Sequence, residues 1–367
     1  MKLFQWTKTH LIKVTFSVVA TLLIIQYWRQ VTLDSHQFEP WFFGNSSKIK
    51  LGYPTENLTM YEKFDEFYNG TYTQNSTLYF TKKLTENIPL CPPVPPNLKG
   101  PINIRKMFQN FSDVEKDFEG LETGGVFRPK ECKPRYTVAL VIPYRNRPYQ
   151  LAIFLNNIHR LLMKQQIEYR IFVIEQDGDD PFNRGKLLNV GFTEGSKIND
   201  FDCYIFHDVD LIPEDDRNLY TCPEQPRHMS VAVDKFNYRL PYKGIFGGVC
   251  ALSKDHFKLI NGFSNSFWGW GGEDDDLYSR LKRKGLHVSR YPPTIARYTM
   301  LPHAKQTPNP HRFELMDKGK RSYDKDGLIN LKYKIISFES KRLYTWILVD
   351  LQPPKWWLLN FFRLWRT

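Results

Sequence analysis

Alternation of short apolar segments with longer helical ones between residues 137 and 253 most constrains the fold of this chain. Two segments have the length and apolar spacing of helices, Pro148–Lys164 and Arg184–Gly195. Strand-like apolar runs flank them at Thr137–Pro143, Arg170–Glu175, Tyr204–His207 and Gly247–Ser253. This β-α-β-α-β order predicts an α/β fold with a mostly parallel central sheet and helices on both faces. Ligands of such sheets bind at the carboxyl ends of the strands.

Residues 267–276 read Phe-Trp-Gly-Trp-Gly-Gly-Glu-Asp-Asp-Asp, two indole rings and three glycines before four consecutive carboxylates. A protein core does not tolerate four adjacent carboxylates, and a solvated acidic surface has no need of tryptophans. Aromatic faces stack on sugar rings, and a neighbouring carboxylate can accept a proton from a hydroxyl group. The motif therefore indicates a carbohydrate site, with an acidic surface turn as the alternative.

A second acidic motif, Asp208-Val-Asp210, follows the predicted strand Tyr204–His207. Side chains two residues apart in extended backbone point the same way, and oxygen ligands at a strand end suit a divalent cation bound to a diphosphate. A lone Asp-x-Asp also occurs in many surface turns. Met300 and His303, taken alone, read as core and surface residues; with the carboxylate they form a mixed O, N, S set that favours manganese over magnesium.

The amino terminus predicts a membrane anchor. Residues 1–13 contain three lysines, and residues 14–28 contain no charged side chain. With the two apolar residues that precede Lys13, this stretch is near the lower limit for crossing a bilayer. A cleavable signal peptide is the alternative, but the segment after it is bulky and lacks a small-residue cleavage site. Positive charge before the span predicts a cytosolic amino terminus and a lumenal carboxyl-terminal domain.

The predicted organisation is a cytosolic tail (1–13), a signal anchor (14–28), a stem (29–87), a catalytic domain (88–352) and an aromatic, basic tail (353–367). Five Asn-x-Ser/Thr sequons support a glycosylated lumenal segment: Asn45, Asn57, Asn69, Asn75 and Asn110. The final tail either packs on the domain or forms an amphipathic helix that docks on the membrane or on a partner protein.

Five segments together resemble the β-1,4-galactosyltransferase family, whose members are inverting, Golgi-resident enzymes with the GT-A nucleotide-sugar-binding fold. They are residues 142–147, 182–192, 208–210, 268–276 and the Met300-x-x-His303 pair. The resemblance extends over about residues 88–350, in the family's order and with its spacing. It implies a type II Golgi membrane enzyme that acts on a UDP-sugar donor and on terminal N-acetylglucosamine (GlcNAc) of glycoproteins or glycolipids.

The resemblance also implies roles for individual residues. The donor positions are Pro143, Arg145, Arg147, Phe182, Arg184, Asp208, Lys235, Ile245 and Trp270. The acceptor positions are Gly272, Glu273, Asp274, Asp275, Arg312 and Phe313. Mn²⁺ is implied as the cofactor, bound by Asp210, Met300 and His303. Asp274 is implied as the catalytic base, although spacing alone leaves Glu273 and Asp275 as competing candidates. Without the resemblance, Arg145 and Arg147 read as solvated turn residues.

Five cysteines allow two disulfides and one thiol in a lumenal domain, and the sequence leaves their pairing open. The resemblance implies Cys91–Cys132 and Cys203–Cys222, with Cys250 free. No Cys-x-x-Cys pair supports a zinc site. The formal net charge of +12 would ordinarily suggest nucleic acid, but the predicted lumenal location and the lack of a nucleic-acid-binding motif exclude that partner.

The identity of the donor depends on the segment 240–248, which matches the donor-sugar wall of the family. Galactosyl members carry tyrosine where this chain has Ile245, and members with an aliphatic residue there are N-acetylgalactosaminyltransferases. The resemblance thus implies UDP-N-acetylgalactosamine (UDP-GalNAc) as donor and GalNAcβ1-4GlcNAc as product. UDP-galactose is the alternative if Ile245 only packs in the loop. An inactive, lectin-like binder and a xylose-directed enzyme are further alternatives.

The segment from about Leu301 to Lys320, rich in proline, is expected to be mobile until metal and donor bind.

Overall fold

The computed structural model describes residues 88–304 and 306–354. The predicted anchor, the stem, four of the five sequons and nearly all of the aromatic tail lie outside these ranges. Among the residues described, no helix is both long and apolar enough to cross a membrane.

Six α-helices and eleven β-strands form within the described ranges. The helices are α1 (Phe111–Lys116), α2 (Pro148–Lys164), α3 (Arg184–Ile198), α4 (Lys254–Leu259), α5 (Glu273–Arg283) and α6 (Arg312–Ser322). The first six strands are β1 (Val126–Phe127), β2 (Thr137–Tyr144), β3 (Glu168–Gln176), β4 (Cys203–His207), β5 (Leu211–Pro213) and β6 (Arg227–His228). The remaining strands are β7 (Ala232–Val233), β8 (Val249–Ser253), β9 (Arg297–Met300), β10 (Lys334–Ser340) and β11 (Thr345–Asp350).

An eight-stranded sheet forms the centre of the fold, in the order β10-β11-β3-β2-β4-β8-β6, with β1 also paired to β3. Strands β11, β3, β2 and β4 are parallel. The pairs β10–β11, β4–β8, β8–β6 and β1–β3 are antiparallel. The prediction of a mostly parallel sheet is therefore wrong in its outer strands, because the sheet is mixed around a parallel centre.

Strand β8 shows why the prediction failed. Val249, its first residue, pairs with His207, the last residue of β4, so the chain enters β8 at the end where it left β4. A parallel partner would need a crossover to the opposite end of the sheet, usually through a helix. Residues 208–248 contain only short strands and one 3₁₀ turn. Apolar runs predict the strand itself but not its direction.

Helices cover both faces of the sheet, as predicted. Alternate residues of β2 point to opposite faces. Val138, Leu140 and Ile142 share a buried core with the apolar side of α2. On the other face, Gly191 of α3 lies directly against Val141 and Ile174. Core side chains thus pack on both faces of the central parallel strands. This packing holds those strands in place, and with them the sheet edge at which their carboxyl ends lie.

A second sheet of three short strands, in the order β5-β9-β7, stands beside the end of β4. Leu211 pairs with Met300, and the Leu301 amide donates a hydrogen bond of 2.7 Å to the Asp210 carbonyl. This register places residue 210 next to residue 300, although 90 positions separate them in the sequence.

The disulfides implied by the resemblance are present. Cys91 is bonded to Cys132 and Cys203 to Cys222, with Cα–Cα distances of 4.8 and 5.4 Å. Cys250 is a buried free thiol. Asn110, the one predicted glycosylation site in the described ranges, is exposed and caps α1 by accepting a hydrogen bond from the Asp113 amide.

Helix α6 occupies the second half of the segment from about Leu301 to Lys320, in which no apolar periodicity predicts a helix. Its residues are good helix formers, yet it lacks the apolar stripe by which a sequence pattern identifies a packed helix. It packs instead through Gly319, where an added Cβ would overlap the Asp276 carboxylate of α5. Small-residue contact between two polar helices explains why periodicity missed it.

The contact of Gly191 with β2 and β3 gives a test of the packing. An added methyl group there would overlap Val141 and crowd Ile174, so Gly191→Ala should lower the free energy of unfolding by about 1–3 kcal/mol. Gly195, one turn later, has its nearest side-chain neighbours at 3.5–3.6 Å, an ordinary contact. Gly195→Ala is the matched control and should raise stability by about 0.5–1 kcal/mol through lower chain entropy. Denaturant unfolding checks both; equal effects would contradict this packing.

Candidate functional site

Loops that follow β2, β3 and β4 meet at one edge of the sheet. Arg145, just after β2, donates hydrogen bonds to the carbonyl oxygens of Gly178 (3.3 Å) and Asp180 (2.5 Å) in the loop after β3. Its guanidinium lies 5.5 Å from the ring centre of Phe182. Pro143, by contrast, is buried within β2 in register with Ile174. The cation and the ring form a flat, partly exposed platform of the kind on which a nucleobase stacks.

Arg184, the first residue of α3, joins two acidic motifs. Its Nε donates to Asp208 Oδ1 at 2.6 Å, and its Nη1 lies 3.7 Å from Glu273 Oε1. Burial lowers the pKa of Arg184, but the two carboxylates raise it by more, so the side chain stays charged. Arg184 Nη1 and Glu273 Oε2 are buried and have no hydrogen-bond partner among the described residues. Unpaired buried polar atoms at this position are available to a polar ligand.

Three candidate metal ligands converge beside this edge. His303 Nε2 lies 3.4 Å from Asp210 Oδ2. Met300 is held next to them by the β5–β9 register, and its amide donates to Asp234 Oδ1 at 2.9 Å. A cavity of about 360 Å³ opens here, lined by Asp234, Lys235, Met300, Leu301, Pro302 and His303.

These residues fit a manganese ion. Two ligands at right angles around a cation with bonds of ~2.1–2.3 Å lie about 3.0–3.3 Å apart, close to the Asp210–His303 separation. A carboxylate, an imidazole and a thioether suit manganese better than magnesium. No cluster of three or more His, Cys, Asp or Glu capable of holding a metal occurs in the described part of the chain. Arg147 Nη1 also donates to Asp210 Oδ2 (3.1 Å), which leaves a cation beside the carboxylate.

The four consecutive carboxylates point in four directions, because α5 begins at Glu273 and turns each side chain by one helical step. Gly272, with φ +97°, precedes the helix in the left-handed conformation that favours glycine. Glu273 faces Arg184, and Asp275 accepts a hydrogen bond of 2.9 Å from the Tyr242 hydroxyl. Asp276 forms a buried ion pair with Arg280 at 2.6 Å.

Asp274 alone is aimed at the glycine-rich segment after Tyr242, where it packs against Gly247. Burial, with the adjacent Asp275 charge, raises the pKa of Asp274 to about 6. Burial and the Asp274 charge raise the pKa of Glu273 to about 7, against the opposing effect of Arg184. Both side chains therefore hold protons more strongly than ordinary carboxylates, as a general base for a hydroxyl group requires.

The aromatic residues lie on the open side of α5. The Trp270 side chain is 55% exposed, and its carbonyl oxygen accepts a hydrogen bond from the Asn309 amide. Arg312 packs beside Gly271, and its guanidinium lies 4.4 Å from the ring centre of Phe313, which is 63% exposed. Exposed rings beside a carboxylate form a surface on which a sugar can stack.

Two site residues escaped the sequence analysis. Asp234 fixes the Met300 amide, and Tyr242 orients Asp275. Each lies within a few residues of a predicted position, but a carboxylate that binds a distant amide has no local pattern. Ile245, which the sequence analysis gives as a donor position, is partly buried in the segment between Tyr242 and Gly247.

Two family models match this chain. One, described as the N-terminal region of glycosyl transferase group 7, matches residues 91–223, and one described as the N-terminal domain of galactosyltransferase matches residues 227–304. β-1,4-Galactosyltransferase 1 of Mus musculus is 47% identical over 275 residues, 73% of this chain and 68% of that protein. β-1,4-Galactosyltransferase 2 of Cricetulus griseus is 45% identical over 276 residues, 74% of this chain and 75% of that protein.

Solved structures also match. The catalytic domain of Drosophila β1,4-galactosyltransferase 7 in complex with xylobiose has a TM-score of 0.53 and 31% identity, over 60% of this chain and 95% of that one. A mutant of that Drosophila enzyme, in complex with manganese, UDP-galactose and xylobiose, has a TM-score of 0.52 and 30% identity, with the same coverage.

The geometry around Asp210 gives a metal-binding test. Loss of the imidazole in His303→Ala should weaken Mn²⁺ binding at least about tenfold, because a chain-derived ligand is removed. His311, which pairs with Glu314 on exposed helix α6, gives the matched control His311→Ala. Titration of Mn²⁺ followed by electron paramagnetic resonance checks both without relying on turnover. Equal Mn²⁺ affinity in the two variants would remove His303 from the site.

Proposed function

We propose that this chain, which belongs to the β-1,4-galactosyltransferase family, is an enzyme with a two-part reaction site. It transfers a hexose from a UDP-sugar to the 4-hydroxyl group of terminal GlcNAc. The chain is a glycosyltransferase by family membership. The observation that carries the more specific proposal is the position of Asp274. Its carboxylate packs against Gly247 of the 240–248 wall, at the start of the helix that follows Trp270 and Gly272, and its pKa is raised.

The donor half of the site is proposed at the carboxyl ends of β2, β3 and β4. Arg145 and Phe182 stack on the uracil ring, and Arg147 and Lys235 neutralise the diphosphate. Arg147 now contacts Asp210, so it turns from the carboxylate to a phosphate oxygen when the donor binds. Arg184 and Glu273 offer unpaired polar atoms that a sugar's hydroxyl groups can use, and Asp208 holds Arg184 in place.

Asp210, Met300 and His303 would hold the manganese ion, as their converging oxygen, nitrogen and sulfur atoms support. When bound, the ion supplies positive charge that stabilises the diphosphate as leaving group. The Drosophila relative was solved with manganese and UDP-galactose.

The acceptor half is proposed on the open side of α5. Arg312 and Phe313 form the pocket for the N-acetyl group of the sugar, Gly272 lies beside it, and Asp275 accepts a hydrogen bond from a hydroxyl group of the sugar. Trp270 touches the donor. Asp274 takes the proton of the 4-hydroxyl as its oxygen attacks the anomeric carbon from the face opposite UDP. A single displacement of this kind inverts the configuration at that carbon. Glu273, turned toward Arg184, is less suitably placed for this role.

UDP-galactose is the donor that the comparisons support, because the relatives reported above are named galactosyltransferases. They do not support the prediction of UDP-GalNAc. UDP-GalNAc stays a second candidate because Ile245 is smaller than tyrosine and leaves room for an acetamido group beside the donor. The acceptor is proposed as GlcNAc rather than xylose. Xylose-directed members of the family differ around the metal ligands and the acceptor pocket, whereas Met300, His303, Arg312 and Phe313 match the GlcNAc-directed members. A type II Golgi location, through the anchor at residues 14–28, stays part of the proposal.

The first test concerns the base. Asp274→Asn is nearly isosteric and removes only the proton affinity, so transfer should fall at least about 10²-fold while UDP binding is kept. Asp113→Asn is the control: this exposed carboxylate on α1 pairs with Lys116 at 2.8 Å, lies outside the proposed donor and acceptor halves, and should keep full turnover. Release of UDP with a GlcNAc acceptor gives the rate, and calorimetry gives UDP affinity. Near-normal turnover by Asp274→Asn would shift the role to Glu273 or a water molecule.

The pH profile gives an independent test. A base works only when deprotonated, and the pKa of Asp274 is raised from 3.8 to about 6. The wild-type kcat/KM should therefore fall as pH decreases through about 6, while protein with an ordinary carboxylate base would stay active to about pH 4. A flat profile between pH 7 and pH 5 would contradict the assignment.

The donor is tested by competition. Wild-type protein receives equal concentrations of UDP-galactose and UDP-GalNAc with one GlcNAc acceptor, and the products are separated. Ile245→Tyr should shift the product ratio toward galactose by roughly 5- to 150-fold, the range that about 1–3 kcal/mol in one pocket provides. Ile245→Leu keeps an aliphatic side chain and is the control. A wild-type enzyme that prefers UDP-galactose, with no shift in Ile245→Tyr, would exclude the second candidate.

A further inference from the structure

Several side chains donate hydrogen bonds to the backbone of the donor wall 240–248, among them Ser230, whose Oγ donates to the Gly247 carbonyl at 3.1 Å. Arg290 Nη2 donates to the carbonyl oxygens of Lys243 and Ile245, each at 2.9 Å. His228 Nε2 lies 3.0 Å from the carbonyl oxygen of Gly247. Three carbonyl groups of the wall, at residues 243, 245 and 247, are therefore held by side chains from outside the segment.

Arg290 and the Gly247 carbonyl group hold the His228 imidazole from its two nitrogens and agree on one tautomer. Arg290 Nε lies 3.2 Å from His228 Nδ1. A guanidinium group only donates, so Nδ1 must accept and the ring hydrogen of a neutral imidazole must be on Nε2. Nε2–H then donates to the Gly247 carbonyl. Burial, and then the nearby Arg290 charge, lower the pKa of His228 to about 3, so the imidazole stays neutral. Arg290 thus reaches all three wall carbonyls, two directly and one through His228.

The opposite side of the same wall faces the reaction. An added Cβ on Gly247 would overlap the Asp274 carboxylate, so this part of the wall is in direct contact with the proposed base. Ile245, between two anchored carbonyls, is the residue that distinguishes the two candidate donors. A shift of the wall by a fraction of an ångström would change the space beside the donor sugar and the position of Asp274 together.

We infer that Arg290 is a positioning residue that fixes the donor wall through the carbonyl groups of Lys243 and Ile245 and through His228, and thereby sets selectivity at the 2-position of the donor sugar. This inference rests on the proposed function. A rigid wall accommodates one of the two groups, hydroxyl or acetamido, at the 2-position of the donor sugar and sterically excludes or fits the other poorly. A loosened wall shifts to accommodate either group. Arg290 itself lies behind the wall and is not assigned to the chemistry.

The experiment compares Arg290→Lys and Arg290→Gln with the matched controls Arg283→Lys and Arg283→Gln. Arg283 lies on the same stretch of chain but stacks on Tyr323, 5.3 Å from its ring centre. For each variant, kcat/KM is measured with UDP-galactose and with UDP-GalNAc. We expect the selectivity ratio of the Arg290 variants to move toward one by about fivefold or more, and that of the Arg283 variants to stay at the wild-type value. Equal loss with both donors would overturn the inference.

A double variant tests whether the effect acts through the wall. If Arg290 positions Ile245, the shift in donor ratio caused by Ile245→Tyr should be smaller in the Arg290→Gln background than in wild type, because the two sites are coupled. Full additivity of the two changes would contradict the wall as the route. Thermal unfolding of each variant identifies general loss of structure, and Arg290→Lys, which keeps the charge, is the milder change.

The imidazole of His228 provides a readout that does not depend on turnover. ¹⁵N NMR of histidine-labelled protein, with the signal assigned through His228→Gln, should show the neutral Nε2–H tautomer in wild type. In Arg290→Gln the Nδ1 signal should move downfield, because the guanidinium no longer donates to it. An unchanged Nδ1 signal would overturn the link between Arg290 and His228. If wild-type protein transfers neither donor, the proposed function fails on that result, while the NMR measurement still decides whether Arg290 holds the wall.

Discussion

The buried guanidinium of Arg184 is the interaction on which the site depends. It stands at the start of α3 and contacts Asp208, after β4, and Glu273, at the start of α5. Three segments that are far apart in sequence are thereby joined around one positive charge. Removal of one member of such a buried group typically costs about 3–5 kcal/mol, because the remaining charges lose their compensation. The acidic motifs can therefore lie close together only while this arginine is in place.

With Arg184 in place, the surrounding carboxylates acquire different properties. Asp276 is neutralised by Arg280 and serves structure, Asp275 is tied to Tyr242, and Asp274 is left with a raised pKa next to the donor wall. Asp210, the second carboxylate of the Asp208-Val-Asp210 motif, lies beside His303 and Arg147. Environment, rather than residue type, thus separates structural carboxylates from those available for chemistry and for a cation.

The donor wall illustrates how a specificity element depends on residues outside it. Its front contacts Asp274 and carries Ile245, and its back is hydrogen-bonded by Arg290 and His228. The relatives named above are galactosyltransferases, and they share the chain's framework at 45–47% identity. Under the proposed function, donor choice within such a framework depends on a few contacts along this wall, whose individual free energies are small compared with that of the fold.

The sequence by itself determined the elements of this protein and its family. Apolar runs located β2, β3, β4 and β8, helical periodicity located α2 and α3, and the Trp268–Asp276 motif located the site, because each is a local pattern of burial or charge. Only the tertiary structure decided the antiparallel direction of β8, the polar helix α6 and the separate orientations of Glu273, Asp274, Asp275 and Asp276. It also decided that the β5–β9 register is what brings Met300 beside Asp210, and that Arg290 reaches Ile245. These features depend on sheet register and on hydrogen bonds between residues tens of positions apart, and such contacts leave no periodic trace along the chain.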